Sequence, residues 1–313
     1  MTPQTFARKK SPKALYGQLS VKGTQIVGGK GCPVQLKGIS FGWHCMATRF
    51  YNRSTVHALV DDWGANVVRC SIGLDNKFVE GDPDFARAFD YAPALAYALV
   101  DSIVAGAVEK GIYVIIDFHS HNNNLELAKD FFSTVSKKYG KFDNVLFELW
   151  NEPLKIEWSE CKQYAETLIP IIRKNAPNSI IIVGTPQWSQ DVHLAAADPI
   201  VGQKNIMYTL HFYAATHKQY LRDRMEQAIA NGLPIFISEC GGMTADGDGY
   251  LDPEEWKMWI DLANQHNISW VAWSVHDKNE VCSFLKPTAS SFGEQWTDDD
   301  LKPWAQLVRK YLK

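Results

Sequence analysis

No apolar run of about 18 or more residues occurs in this chain, so no helix of it is long enough to cross a bilayer. Charge of one sign is equally scarce: 32 basic residues stand against 35 acidic ones, for a net charge of −3. A chain so balanced has no global field to attract DNA or an anionic membrane, and neither is expected as a partner. Cysteine is thinly spread, six in 313 residues, with no CxxC pair and no histidine at zinc spacing. These read as single, reduced, buried thiols, with a disulfide between two of them left open. Glycine-rich phosphate loops are missing too, since neither GxGxxG nor a Walker-type loop follows any candidate strand. The opening residues lack the apolar stretch of a secretory signal, which leaves a cytoplasmic chain or a removed leader. Residues 1–14 are expected to be disordered or extended, and 15–313 to form one domain.

Hydrophobic residues make up 46% of the chain and charged ones 21%, a balance that excludes intrinsic disorder. Eleven tryptophans and twelve tyrosines are many. Aromatic faces suit flat, weakly polar ligands such as sugars, although any single ring is as readily core. Short apolar runs alternate with amphipathic stretches throughout. Strands are predicted at 34–40, 66–71, 112–117, 145–149, 179–183, 206–210, 234–238 and 269–273. Helices are predicted at 54–63, 91–110, 125–139, 159–175, 218–231, 253–266 and 298–313, with a weaker pattern at 191–197. Eight βα units in about 280 residues have the size of a (β/α)₈ TIM barrel, and the glycine-punctuated stretch 15–33 reads as a hairpin closing its bottom.

Active sites of such barrels lie at the C-terminal strand ends, and here those ends are unusually polar. The second strand carries Arg69, and the third ends Asp117-Phe118-His119-Ser120-His121. The fourth ends Glu148-Leu149-Trp150-Asn151-Glu152-Pro153, the sixth His211-Phe212-Tyr213, the seventh Ser238-Glu239-Cys240-Gly241, and the eighth Trp273-Ser274. Cleaving a glycosidic bond needs a proton for the leaving oxygen and a nucleophile or base for the anomeric carbon. Two carboxyl groups with pKa values pushed apart supply both. Glu152 and Glu239, on strands across the ring from one another, are the candidate pair.

Leu149-Trp150-Asn151-Glu152-Pro153 resembles the Asn-Glu-Pro signature of the retaining glycosidases built on (β/α)₈ barrels. From about Gly17 onward the chain is similar to glycoside hydrolase family 5, and within it to bacterial endo-β-1,4-glucanases. Asp62-Trp63-Gly64-Ala65-Asn66-Val67-Val68-Arg69, Tyr208-Thr209-Leu210-His211-Phe212-Tyr213, Phe236-Ile237-Ser238-Glu239 and Asp277-Lys278-Asn279-Glu280 carry that likeness in order. The resemblance implies Glu152 as general acid/base and Glu239 as nucleophile. It implies Arg69 bonding the nucleophile and lowering its pKa, Asn151 bonding a sugar 2-hydroxyl, and His211 and Tyr213 fixing the two carboxylates. His119 would contact the sugar at the cut, with Trp273 as stacking floor. Lys278, Glu280, Ala245 and Asp246 would lie beside sugars further away, and Trp188 would be a platform on the other side. It also implies a β-glucan or cello-oligosaccharide as substrate, no cofactor and no metal, a monomer, and secretion, since polymeric cellulose does not enter a cell.

Departures from the family pattern are Cys240 after the nucleophile, Phe118 before His119, and Met46-Ala47 where relatives often carry an aromatic pair. Trp43 and His44 remain as sugar contacts there. The stretch 244–255 matches an EF-hand loop at positions 3, 5, 6 and 12 but has Thr244 at position 1. A capping box with Asp252 as N-cap and Glu255 at N3 accounts for the following helix start without calcium. The competing functional readings are another endo-β-glycanase (mannanase, xylanase or mixed-linkage glucanase) and a carbohydrate-binding pseudoenzyme. Intact Glu152, Glu239, Asn151 and Arg69 argue against the latter.

Overall fold

Two three-residue strands, β1 (Ser20–Lys22) and β2 (Gln25–Val27), pair antiparallel about Gly23, whose φ of 58° suits the tight turn. Eight further strands close into a parallel barrel: β3 (Lys37–Phe41), β4 (Val67–Gly73), β5 (Tyr113–His119), β6 (Val145–Glu148), β7 (Ile181–Val183), β8 (Ile206–Tyr213), β9 (Ile235–Gly241) and β10 (Trp270–Val275). β10 joins β3 to complete the ring. The computed structural model describes residues 11–74 and 85–313. Almost every strand residue is buried, as runs covered by side chains inside and helices outside must be. The surrounding helices are Arg53–Asp61, Pro93–Lys110, Leu125–Tyr139, Trp158–Arg173, Val192–Ala197, Gln219–Ala230, Pro253–Gln265 and Pro303–Leu312.

The barrel interior is layered. Val67, Tyr113, Ile115, Leu146, Ile182, Met207, Phe236 and Val271 form an apolar lower layer, plugged from below by Leu19 and Ile26 of the hairpin and by Val34 and Leu36. Above it lies a buried polar layer of Ser40, Arg69, Ser71, Asp117, Glu148, Thr209 and Ser238. The apolar plug keeps water from reaching this ionic layer from below, so its charges must find their partners within the protein.

Three elements depart from the sequence expectations. The first barrel strand begins at Lys37 rather than Val34, because Val34 and Leu36 are spent plugging the bottom. The stretch 298–313 divides into a 3₁₀ turn, Asp298–Asp300, closed by a Thr297–Asp300 capping box, and a helix that starts at Pro303. Proline lacks an N–H and so suits a first turn. Of the segment expected to be disordered or extended, 1–10 lies outside the described residues. Its end enters a short helix, Pro12–Tyr16, capped by Ser11.

Candidate active site

Arg69 stands at the centre of the polar layer and is fully buried. Its Nε donates to Glu148 Oε2 at 2.7 Å, Nη1 to Glu239 Oε2 at 2.9 Å and Nη2 to Asn151 Oδ1 at 2.6 Å, while Asp117 Oδ2 lies 3.0 Å from Nη2. Only the planar guanidinium fork can serve four partners from three strand ends at once. Burial alone would lower its pKa; the charges of Asp117, Glu148 and Glu239 more than offset that and hold the cation. Because Arg69 occupies the Asn151 amide oxygen, the Asn151 NH₂ is the end available to donate elsewhere.

Glu239 is positioned by an irregularity. β8 and β9 pair Thr209 with Phe236 but His211 with Glu239, so β9 holds one extra residue between them. This bulge lets consecutive residues, Ser238 and Glu239, both reach the barrel interior, which regular alternation would forbid. Tyr213 donates its hydroxyl to Glu239 Oε1 at 2.7 Å, so both carboxylate oxygens are held. The Tyr213 ring lies against Gly241, where a Cβ would come within 2.6 Å of it. Glycine is therefore what allows the ring to aim its hydroxyl at Glu239.

Glu152 is held by two imidazoles. His211 Nδ1 lies 2.9 Å from Oε1 and His121 Nε2 lies 3.1 Å from Oε2. Behind His211 the hydrogen bonds run one way. Ser238 Oγ donates to Glu148 at 2.6 Å, so it accepts at 3.0 Å from His211 Nε2. With Nδ1 donating to Glu152 as well, His211 carries both protons. Burial alone would lower its pKa, but the nearby Glu148 carboxylate, the hydrogen bond His211 donates to Glu152 and the charge of Glu239 prevail and raise it to about 9. Burial pushes Glu152 up, but the bonds from His121 and His211 prevail and bring it to about 2. For Glu239, burial and then the Glu152 charge outweigh His211, Arg69 and Tyr213, leaving it above its ordinary value. Arg69 thus pulls on Glu239 as the sequence implied without setting the net direction. At neutral pH the proton rests on His211 rather than on Glu152.

These shifts carry a pH expectation. A raised His211 stabilises the fold fully below about pH 6.5, and that contribution is lost as pH rises through about 9. A depressed Glu152 stabilises it fully above about pH 4.5, and its contribution is lost as pH falls through about 2. Replacing His211 with Gln should therefore lower the melting temperature most between pH 4.5 and 6.5 and little above pH 9. A difference that did not vary with pH would mean His211 acts only by packing.

His119 donates to Asp117 Oδ2 over 2.7 Å, stacks on Trp273 at 5.2 Å between ring centroids and meets the edge of Trp43 at 4.5 Å. Burial and nearby positive charge, Arg69 foremost, depress its pKa well below the usual value, so the ring is neutral. Asp117 moves the other way, pushed up by burial. Trp43 in turn covers Gly73, where a Cβ would come within 2.3 Å of the indole. Trp43 is thus a flat ring at the place where Met46 and Ala47 lack one. His44 is a correction. It does not open onto the pocket but is fully buried, its Nδ1 accepting from Gly73 N at 2.9 Å, and burial lowers its pKa to about 4.

Two cavities share Ala245 and Tyr213, whose hydroxyl bonds Glu239. One, of about 140 Å³, is lined by Trp43, Met46, Asp246, Trp273, Lys278 and Glu280 among others. The second, of about 390 Å³, is lined by Glu152, Trp188, Gln190, His211, His217 and Tyr220 among others. Trp188 sits in an unusual turn in which Gln187, Trp188 and Ser189 all have positive φ, 61°, 54° and 56°. Such residues cost on the order of 1–3 kcal/mol each and persist only where surroundings dictate them. Here Gln187 N and Trp188 N donate to the carbonyls of Leu154 and Pro153, and Ser189 Oγ donates to that of Asn151. The indole is thereby tied to the segment that carries Glu152.

In the loop 244–255, Asp246 Oδ1 accepts from Thr244, Asp248 N and Gly249 N, and Asp248 Oδ1 accepts from Val281 N. The carboxylates that an EF-hand would turn on calcium thus hold the loop itself. Asp252 does cap the helix through Glu255 N, yet the Glu255 carboxylate goes to Arg222 at 2.7 Å, so the expected capping box is half formed. Lys278 pairs with Glu280, which the bonds from His276 and Lys278 bring to about 2. No two cysteines are joined among the described residues; five are buried, but Cys32, expected inside, is exposed.

Asp117, Glu148, Ser238 and His121 bond the candidate residues and were given no role by the sequence reading, although the first two interrupt apolar strands. The family model described as cellulase (glycosyl hydrolase family 5) matches residues 27–279. An endoglucanase of Clostridium saccharobutylicum is 39% identical over 98% of this chain and 68% of its own length. Endoglucanase A of Evansella cellulosilytica is 40% identical over 90% of this chain, and the match spans 57% of that protein. Among solved structures, one from Cytophaga hutchinsonii superposes with a TM-score of 0.91 at 43% identity, covering 97% of this chain and 96% of its own. The catalytic domain of a Thermobifida fusca endoglucanase gives 0.88 at 32% identity, covering 97% and 99%, and a variant of it has been solved with cellotetraose.

Proposed function

The chain belongs to glycosyl hydrolase family 5, and from that premise we propose that it is a retaining endo-β-1,4-glucanase, with Glu239 as nucleophile and Glu152 as acid/base. The observation that carries the reading is the approach of the two carboxylates. An oxygen of Glu152, an oxygen of Glu239 and a nitrogen of His211 all lie within 4.8 Å of one another. Retaining enzymes hold their carboxyl groups about 5–5.5 Å apart, whereas inverting ones keep about 6.5–9.5 Å to admit a water. Cavities on both sides of the pair favour an internal cut, since a chain can continue past the carboxylates in each direction.

In this reading Glu239 attacks the anomeric carbon while Glu152 protonates the departing oxygen. The proton resting on His211 reaches Glu152 across their 2.9 Å hydrogen bond as negative charge leaves Glu239. Glu152 then takes a proton from the water that hydrolyses the glycosyl-enzyme. The Asn151 NH₂ donates to the 2-hydroxyl, a contact that strengthens in the transition state. Trp43, Trp273, Lys278 and Glu280 hold sugars on one side, and Trp188 receives them on the other. Secretion follows from a polymeric substrate.

Fresh cello-oligosaccharide digests followed by proton NMR should show the β-anomer first, and carboxymethylcellulose should be cut faster than mannan, xylan or lichenan. An initial α-anomer would overturn retention, and a faster rate on mannan or xylan would overturn the β-1,4-glucan assignment. Trp273→Ala should lower kcat/KM on every β-glucan about ten- to a hundredfold, since a buried aromatic contact contributes on the order of 1–3 kcal/mol. Unchanged kinetics would make Trp273 only a packing partner of His119.

A further inference from the structure

His276, Glu280 and Cys282 belong to the turn that follows β10, away from the reacting carboxylates, and line the smaller cavity. They turn three metal-ligating atoms toward one another. His276 Nε2 stands 3.9 Å from Cys282 Sγ and 3.7 Å from Glu280 Oε2, and Sγ stands 3.7 Å from that same oxygen. The centre of such a triangle lies about 2.2 Å from each corner, within the roughly 2.0–2.3 Å span of zinc bonds to oxygen, nitrogen and sulfur.

Ser283 Oγ donates to the Lys278 carbonyl at 2.5 Å, so it accepts from His276 Nε2, 3.0 Å away. His276 Nδ1 lies 3.2 Å from the Ser274 carbonyl. A cation at Nε2 takes the other tautomer, with the ring proton moved to Nδ1 and donated to that carbonyl, the usual arrangement behind a metal-bound histidine. Glu280 divides its oxygens: Oε1 takes the Lys278 ammonium, and Oε2 is the one facing the imidazole and the thiol. His276 and Cys282 are both more than nine-tenths buried, and all three residues line the smaller cavity.

We infer that His276, Glu280 and Cys282 form a binding site for a thiophilic divalent cation such as Zn²⁺, with water as its fourth ligand. The Cys282 thiol proton passes to solvent as the sulfur–metal bond forms. The bound ion and its water take Glu280 and part of the sugar cavity, so the ion is an inhibitor. That last step rests on the proposed sugar site; the ion site itself does not. The spacing His276-x₃-Glu280-x-Cys282 escapes a search for cysteine pairs because the three ligands come from one tight turn.

Co²⁺ added to the EDTA-treated full chain tests the site without reference to activity. One equivalent should give a thiolate-to-cobalt charge-transfer band in the near ultraviolet and the strong visible bands of tetrahedral cobalt. Cys282→Ser should abolish the charge-transfer band, His276→Gln should weaken binding at least tenfold, and Cys32→Ser, which removes the exposed thiol, should change neither. Unaltered circular dichroism certifies each variant's fold. No band, a band that survives in Cys282→Ser, or one lost in Cys32→Ser would overturn the site. Stoichiometric Zn²⁺ should also slow carboxymethylcellulose cleavage at least tenfold, but leave Cys282→Ser at its own metal-free rate. Full activity of the zinc-loaded enzyme would overturn the claim that ion and sugar share Glu280, and the cobalt spectrum would still report on the site.

Discussion

Replacing Glu239 with glutamine is expected to lower turnover on the order of 10⁴-fold or more, against about 10²–10⁴-fold for losing proton transfer alone. The amide has the shape of the carboxylate but no charge with which to attack. Its surroundings can accept it: the amide oxygen can take the Arg69 Nη1 hydrogen bond, and the NH₂ can donate to Tyr213, whose hydroxyl can reverse its role. Arg69 keeps Asp117 and Glu148 as counter-charges, so no cation is left unpaired. Melting temperature and cellotetraose binding by calorimetry should therefore stay close to those of the native chain while initial rates collapse. A variant that kept a tenth of the native rate would show that another group attacks.

The barrel was legible in the sequence because strands covered on both faces leave short apolar runs with nothing else to mimic them, as at 112–117. The candidate pair was legible because polar residues at strand ends have few structural reasons to be there. The layer beneath them was not. Asp117 and Glu148 each read as one polar residue in an apolar run, and only closure of the ring brings them onto the same guanidinium. Nor does any local pattern announce the extra residue in β9; a strict period of two would have put either Ser238 or Glu239 inside, not both. His44 was misplaced for a related reason. It follows Trp43 in a non-repeating turn, where adjacency says nothing about direction, and the backbone path sends the indole to the pocket and the imidazole to the interior.

Arg69→Met is the change expected to cost the fold most. The methionine fills much of the volume but leaves Asp117, Glu148 and Glu239 without the cation they share. Breaking a buried ion pair from one side costs about 3–5 kcal/mol, which for a domain of this size lowers the melting temperature by roughly 10 °C. Turnover should fall at least a thousandfold as well, since Glu239 loses its aim and part of its charge. The pH dependence separates this account from simple loss of packing. Without Arg69 the three carboxyls are neutral more readily in the folded state than in the unfolded one, so their folded pKa values lie above the unfolded values. Groups shifted upward stabilise a fold below their unfolded pKa and lose that contribution as pH rises through the folded one. The deficit of Arg69→Met against the native chain should accordingly be small near pH 4 and grow toward pH 8. Arg69→Lys should fall between the two, because one ammonium keeps the charge but cannot fork to Glu148, Glu239, Asp117 and Asn151 together. Urea titrations at the two pH values decide it. A deficit of equal size at both would place the role of Arg69 in its volume and not in its charge.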